Sequence, residues 1–146
     1  MVDFSKKVYV IDGAMGTEIQ KRNLTDESFI HNGIFCDGLN DILCLTRPDV
    51  ISEIHADYLK AGADIIETNT FNANYISALD YDLANEVVDL INTKAARIAK
   101  EQAKKYGALV AGVLGPTSKT LSISPDVLDP SFRDISYQDL FVAYKA

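Results

Sequence analysis

Apolar residues along the chain mark three short β-type runs separated by stretches of helical periodicity. The first run is Val8-Tyr9-Val10-Ile11, closed by Asp12-Gly13. The second is Asp64-Ile65-Ile66-Glu67-Thr68-Asn69-Thr70-Phe71, and the third is Leu109-Val110-Ala111-Gly112-Val113-Leu114, stopped by Gly115-Pro116. Compact, largely apolar runs of this kind are expected of parallel strands covered on both faces. After the first run a helix is expected over 16–22. Behind Arg47-Pro48-Asp49, the residues Val50, Ile51, Ile54, Tyr58 and Leu59 recur at helical spacing, with Gly62 as the stop. Leu83, Val87, Leu90, Ile91, Ala95 and Ile98 form a second apolar stripe, opposite Asp89, Lys94, Arg97, Lys100 and Glu101, and Gly107 ends that helix. Segment 23–46, with Gly33, Gly38 and Asn40 as turn residues, reads as a long loop or short hairpin of unassigned position.

Strand, helix, strand, helix, strand is the pattern of a parallel α/β architecture. No internal repeat or linker divides the chain, so residues 1–146 form one unit. Ser136 reads as the cap of a helix starting at Tyr137, in which Leu140, Phe141 and Tyr144 open an apolar face that no Gly or Pro closes. The expectation is therefore a chain that ends within a helix. A (β/α)8 barrel takes roughly 250 residues. The chain reads as the N-terminal portion of such a TIM barrel, about three βα units, truncated and forming a partial domain over 1–146.

Composition narrows the function classes. With 47% hydrophobic and 24% charged residues the chain is an ordinary globular sequence. Its net charge of −7 repels phosphate backbones, and Lys6–Lys7 and Lys104–Lys105 are isolated pairs, so neither a nucleic acid nor an anionic membrane is an expected partner. No leader-like or membrane-spanning apolar stretch is present, which makes the cytoplasm the default location. Cys36 and Cys44 fit neither a redox pair nor a zinc knuckle and read as idle buried thiols. The Asn23-Leu24-Thr25 sequon reads as coincidence. His31 and His55 lack metal spacing, and His55 reads as a helix-surface residue.

Parallel α/β folds bind ligands at the C-terminal ends of their strands. The first strand delivers Asp12-Gly13-Ala14-Met15-Gly16-Thr17, the second Glu67-Thr68-Asn69-Thr70-Phe71-Asn72, and the third Gly115-Pro116-Thr117-Ser118. Asp12 suits a ligand ammonium, and the backbone around Gly13 and Gly16 suits a carboxylate. The same residues also fit an Asp-Gly turn with Asp12 capping the next helix. Polar residues finishing an apolar strand need partners. Side-chain alternation sets Glu67 and Asn69 on one face and Thr68 and Thr70 on the other, one pair facing the barrel mouth and the other tying strand to helix. Gly13-x-x-Gly16 lacks the spacing of a dinucleotide fingerprint, and Gly115–Thr120 lacks the glycine of a phosphate-cradling loop.

At these strand ends the chain resembles a known family. Asp12-Gly13-Ala14-Met15-Gly16-Thr17-Glu18, Ala61-Gly62-Ala63-Asp64-Ile65-Ile66-Glu67-Thr68-Asn69-Thr70-Phe71 and Ala111-Gly112-Val113-Leu114-Gly115-Pro116-Thr117 look like the homocysteine S-methyltransferase domain. Asn40-Asp41-Ile42-Leu43, Thr46-Arg47-Pro48 and Ser122-Ile123-Ser124-Pro125-Asp126-Val127 resemble the cobalamin-dependent methionine synthases more than the betaine- or S-methylmethionine-using relatives. The resemblance implies a barrel that binds homocysteine, with Asp12, Gly13, Thr68, Asn69 and Phe71 lining the pocket, and methyl transfer from methylcobalamin to zinc-bound homocysteine. It also implies zinc held by three cysteines in later strands, beyond Ala146, so Cys36 and Cys44 are no substitutes. No catalytic or metal residue is expected here. Zinc and cobalamin belong to the full-length protein, with folate- and cobalamin-binding domains as partners, and the isolated chain is expected to bind neither cofactor and to be inactive. The other readings are a relative using another methyl donor and a non-catalytic binding remnant.

Overall fold

The computed structural model describes residues 4–145; Ala146, the last residue of the expected terminal helix, lies outside the described residues. In chain order the elements are α1 (Met15–Gln20), the hairpin strands β1 (Ile30–His31) and β2 (Ile34–Phe35), α2 (Leu43–Thr46), α3 (Pro48–Lys60), β3 (Ile65–Glu67), α4 (Tyr75–Ala78), α5 (Asn85–Tyr106), β4 (Leu109–Ala111) and α6 (Tyr137–Lys145). Tight helical turns occupy Asp26–Phe29, Asn40–Ile42 and Leu79–Tyr81.

β3 and β4 pair in parallel, with Ile65 opposite Leu109, Ile66 opposite Val110 and Glu67 opposite Ala111. The first expected strand is reduced to a single parallel bridge between Ile11 and Ile65. Val10 O accepts from Asp64 N and Ile65 N, and Asp12 N donates to Ile65 O at 3.0 Å. The run therefore lies beside β3 in the expected direction, but Val8 and Val10 stand exposed. The second and third strands are likewise shorter than their runs, ending at Glu67 and Ala111, where the chain passes into the ligand-end loops.

The helices follow from the spacing. Pro48 sits in the first turn of α3. α5 ends on Gly107 at φ 68°, whose N–H returns to Ala103 O. Its buried stripe runs through Val88, Ile91, Ala95, Ala99 and Ala103, whereas Leu90 is 43% exposed. The expected stripe has the right period, but Leu90 faces outward and Leu83 precedes the helix. Ala99 and Ala103 bring α5 close to Ile66 and Leu59 in one core cluster, and Ala95 joins Ile19, Leu43, Val50, Ile51 and Ile54 in another. Ser136 caps α6 as expected: Asp139 N donates to Ser136 Oγ at 3.2 Å, and Ser136 N donates to the Asp139 carboxylate at 2.9 Å.

Segment 23–46 contains an antiparallel hairpin, and it is not peripheral. Cys36, Leu39 and Ile42 pack with Ala78, Leu83, Val88 and Ile91, which fixes the following Asn40–Leu43 stretch beside the end of β3. His55 corrects the surface reading: it is 0% exposed on α3. Among the described residues no helix is long and apolar enough to cross a membrane.

Candidate functional site

A cleft of about 320 Å³ opens where the first run and β3 end. Asp12, Gly13 and Met15 form one side, Thr68, Asn69, Thr70 and Phe71 a second, and Asn40 and Asp41 a third, with Val113 closing it. The five residues expected at a pocket, Asp12, Gly13, Thr68, Asn69 and Phe71, thus all border the same cleft.

Asp12 is held by strand geometry. Its Oδ1 accepts from Glu67 N at 3.0 Å, across the junction of the first run with β3. It does not cap α1, whose N-cap position is Ala14 in a left-handed conformation. Burial pushes the Asp12 carboxyl up to about 6; the Glu67 N–H opposes the shift and the Glu67 charge adds to it. A Cβ added to Gly13 would meet nothing within 4 Å, in keeping with backbone that faces open space.

The end of β3 splits as alternation predicts. Thr68 and Thr70 share one face, with their hydroxyls 2.7 Å apart, and both reach Val113. Asn69 turns the other way: its Nδ2 donates to Asn40 O at 2.9 Å, and Cys44 Sγ donates to Asn69 O at 3.6 Å. Asn69 therefore ties strand to helix layer while still bordering the cleft. Phe71 is 56% exposed at the lip. Its carbonyl lies so close to Gly115 that a Cβ there would come within 1.8 Å of Phe71 O, so only glycine permits this approach.

Asp41 is the residue that sequence reasoning passed over. Its side chain is buried, and Asn72 N donates to its Oδ1 at 2.8 Å. The nearby backbone N–H groups, Asn72 first, favour the charged form, yet burial outweighs them and lifts the carboxyl to about 6. Relative to water its charged form is disfavoured by on the order of 3 kcal/mol. The only sequence cue is a carboxylate flanked by the apolar Leu39 and Ile42-Leu43, since a carboxylate drawn into a core needs donors. With Glu67, the cleft carries three carboxylates and no Lys, Arg or His. It suits a cationic group.

A zinc ion does not fit the residues present. No group of three or more His, Cys, Asp or Glu that could hold a metal occurs among the described residues. Cys36 and Cys44 are both buried free thiols, and burial pushes Cys44 up to about 12, far from the thiolate that a metal takes.

Comparison with known proteins matches a family model described as homocysteine S-methyltransferase over residues 9–146. The homocysteine methyltransferase MmuM from Escherichia coli, in its metallated form, is 26% identical at a TM-score of 0.63, over 77% of this chain and 40% of that one. Its oxidised form is 26% identical at 0.64, over 77% and 39%. The apo form, 24% identical at 0.54 over 77% and 38%, shares the fold. The chain thus spans about two fifths of the length of the solved structures it matches.

Proposed function

Because the chain belongs to the homocysteine S-methyltransferase family, we propose that it supplies the amino-acid pocket of an enzyme that methylates homocysteine to methionine. The observation that carries the reading is the convergence of Asp12, Gly13, Thr68, Asn69 and Phe71 on one acidic cleft at the strand ends. Asp12 takes the substrate ammonium by a charge-assisted hydrogen bond. Backbone N–H groups of the Gly13 loop face the carboxylate, Thr68 and Asn69 shape the wall, and Phe71 covers the lip. Since the matched part of the chain spans only about two fifths of the solved structures, the chain is read as the first βα units of a (β/α)8 barrel, one partial domain over 1–146 of a cytoplasmic enzyme. Zinc, through cysteines outside these residues, and cobalamin, with its folate- and cobalamin-binding domains, belong to the rest of that protein. No residue of this chain carries a step through either.

Methylcobalamin as donor is supported by the Asn40–Leu43 and Ser122–Val127 stretches. A second reading, a homocysteine methyltransferase with betaine or S-methylmethionine as donor, is favoured by the match to MmuM. The intact enzyme, given zinc and homocysteine, decides between them when offered methylcobalamin, S-methylmethionine and betaine in turn. Methionine from methylcobalamin alone is the expected result. Turnover with S-methylmethionine or betaine alone would replace the cobalamin reading by the second, and no turnover with any donor would leave only a binding remnant.

A further inference from the structure

The ends of β3 and β4 are joined by a closed ring of hydrogen bonds whose proton order is fixed. Thr70 Oγ lies 2.9 Å from Val113 O, Val113 N lies 3.0 Å from Thr68 Oγ, and the two hydroxyls are 2.7 Å apart. A carbonyl oxygen only accepts and an amide N–H only donates. Thr70 therefore spends its single hydroxyl proton on Val113 O. Thr68 accepts the Val113 N–H, and the proton between the two hydroxyls must come from Thr68. Both threonines are buried and both line the cleft. Thr68 is left with a lone pair for a ligand and no proton.

We infer that Thr70 is a positioning residue: by engaging Val113 O it compels Thr68 to face the cleft as an acceptor only, so that the site selects a ligand ammonium. The inference rests on the reading of the cleft as a homocysteine pocket. The surroundings point the same way, since Asp12, Asp41 and Glu67 also accept and no cationic side chain lines the cleft. A Thr68 freed from the ring turns its proton outward and donates to anionic or neutral groups as readily as it accepts from an ammonium.

The test compares homocysteine with 4-mercaptobutanoate, the same thiol acid without the amine, by calorimetric binding to the intact enzyme. Wild type prefers homocysteine. Thr70→Val narrows that preference about tenfold, the scale of one hydrogen bond to a charged group, and Thr70→Ser restores the wild-type ratio. The readout is a ratio within one variant, so partial loss of folded protein cancels. Thr70→Ala gives the same ratio where the valine variant does not accumulate. An unchanged preference in Thr70→Val or Thr70→Ala, or a serine variant that behaves like the valine one, overturns the role of Thr70 alone. A wild-type enzyme that binds neither thiol overturns the homocysteine reading and this inference with it.

Discussion

Asp12 shows how a single residue acquires its chemistry from position. An aspartate in a tight Asp-Gly turn is commonly a cap, but here its Oδ1 is taken by Glu67 N and burial holds the group near 6. A raised carboxyl is ionised, and so able to hold an ammonium, only above that value. Homocysteine affinity is accordingly expected to fall as the pH drops from about 7 through 6. Asp12→Asn is expected to lose about tenfold or more in affinity at neutral pH, the scale of a charge-assisted bond. It also removes the part of the acid-side decline that Asp12 causes. Calorimetric titrations of wild type and variant across that range check both; a variant with the wild-type profile would assign the decline to Asp41, whose carboxyl titrates in the same range.

At the scale of elements, α3 is the instructive case. Its sequence shows Val50, Ile51, Ile54 and Leu59 as the inner face, and by sequence His55 reads as a helix-surface residue. The helix is in fact covered on more than one side: Arg22 beside α1 pairs with Asp57 at 2.8 Å, while Gln102 of α5 donates to Ser52. His55 lies among the buried residues of this helix, and its two ring nitrogens have no hydrogen-bond partner among the described residues. Burial lowers His55 from 6.5 to about 4. For a depressed histidine the unfolded chain takes up protons first, so the stability it allows is present above about 6.5 and lost as the pH falls towards 4. His55→Leu is expected to leave stability at pH 7 unchanged or improved, since it removes two unsatisfied nitrogens. It also flattens the loss between pH 6.5 and 4. Urea midpoints of the intact protein at pH 7 and 5 measure this, and an equal drop in both proteins would show that His55 is not the acid-sensitive group.

Across the whole molecule, the helix layer covers one part of the sheet and leaves the rest bare. Val110, in register with the fully buried Ile66, is 38% exposed. Val127 and Leu128 are 93% and 94% exposed, and α6 buries none of its residues. β4 pairs with β3 alone, which leaves one backbone edge unpaired among the described residues. The isolated 146-residue chain is expected to lack a single sharp thermal transition and to bind a hydrophobic dye. Circular dichroism during heating, with dye fluorescence, tests this; a cooperative melt without dye binding would mean that these surfaces are content in water.

Local chemistry made much of this legible beforehand. Apolar runs, helical spacing and the stops at Gly62 and Gly107 determine the alternation of strand and helix, because propensity and period act over a few residues. The strand-end rule, applied to that alternation, brings Asp12, Gly13, Thr68, Asn69 and Phe71 to one end of the sheet. What tertiary structure alone decided is whatever depends on a distant neighbour. Segment 23–46 became a wall of the cleft because its apolar residues found α5. Asp41 became a buried acceptor for Asn72, and His55 was buried in the packed helix. The first run kept only one bridge because β3 contacts it on one side alone. In each instance burial and hydrogen bonding are set by residues tens of positions away, which no local pattern encodes.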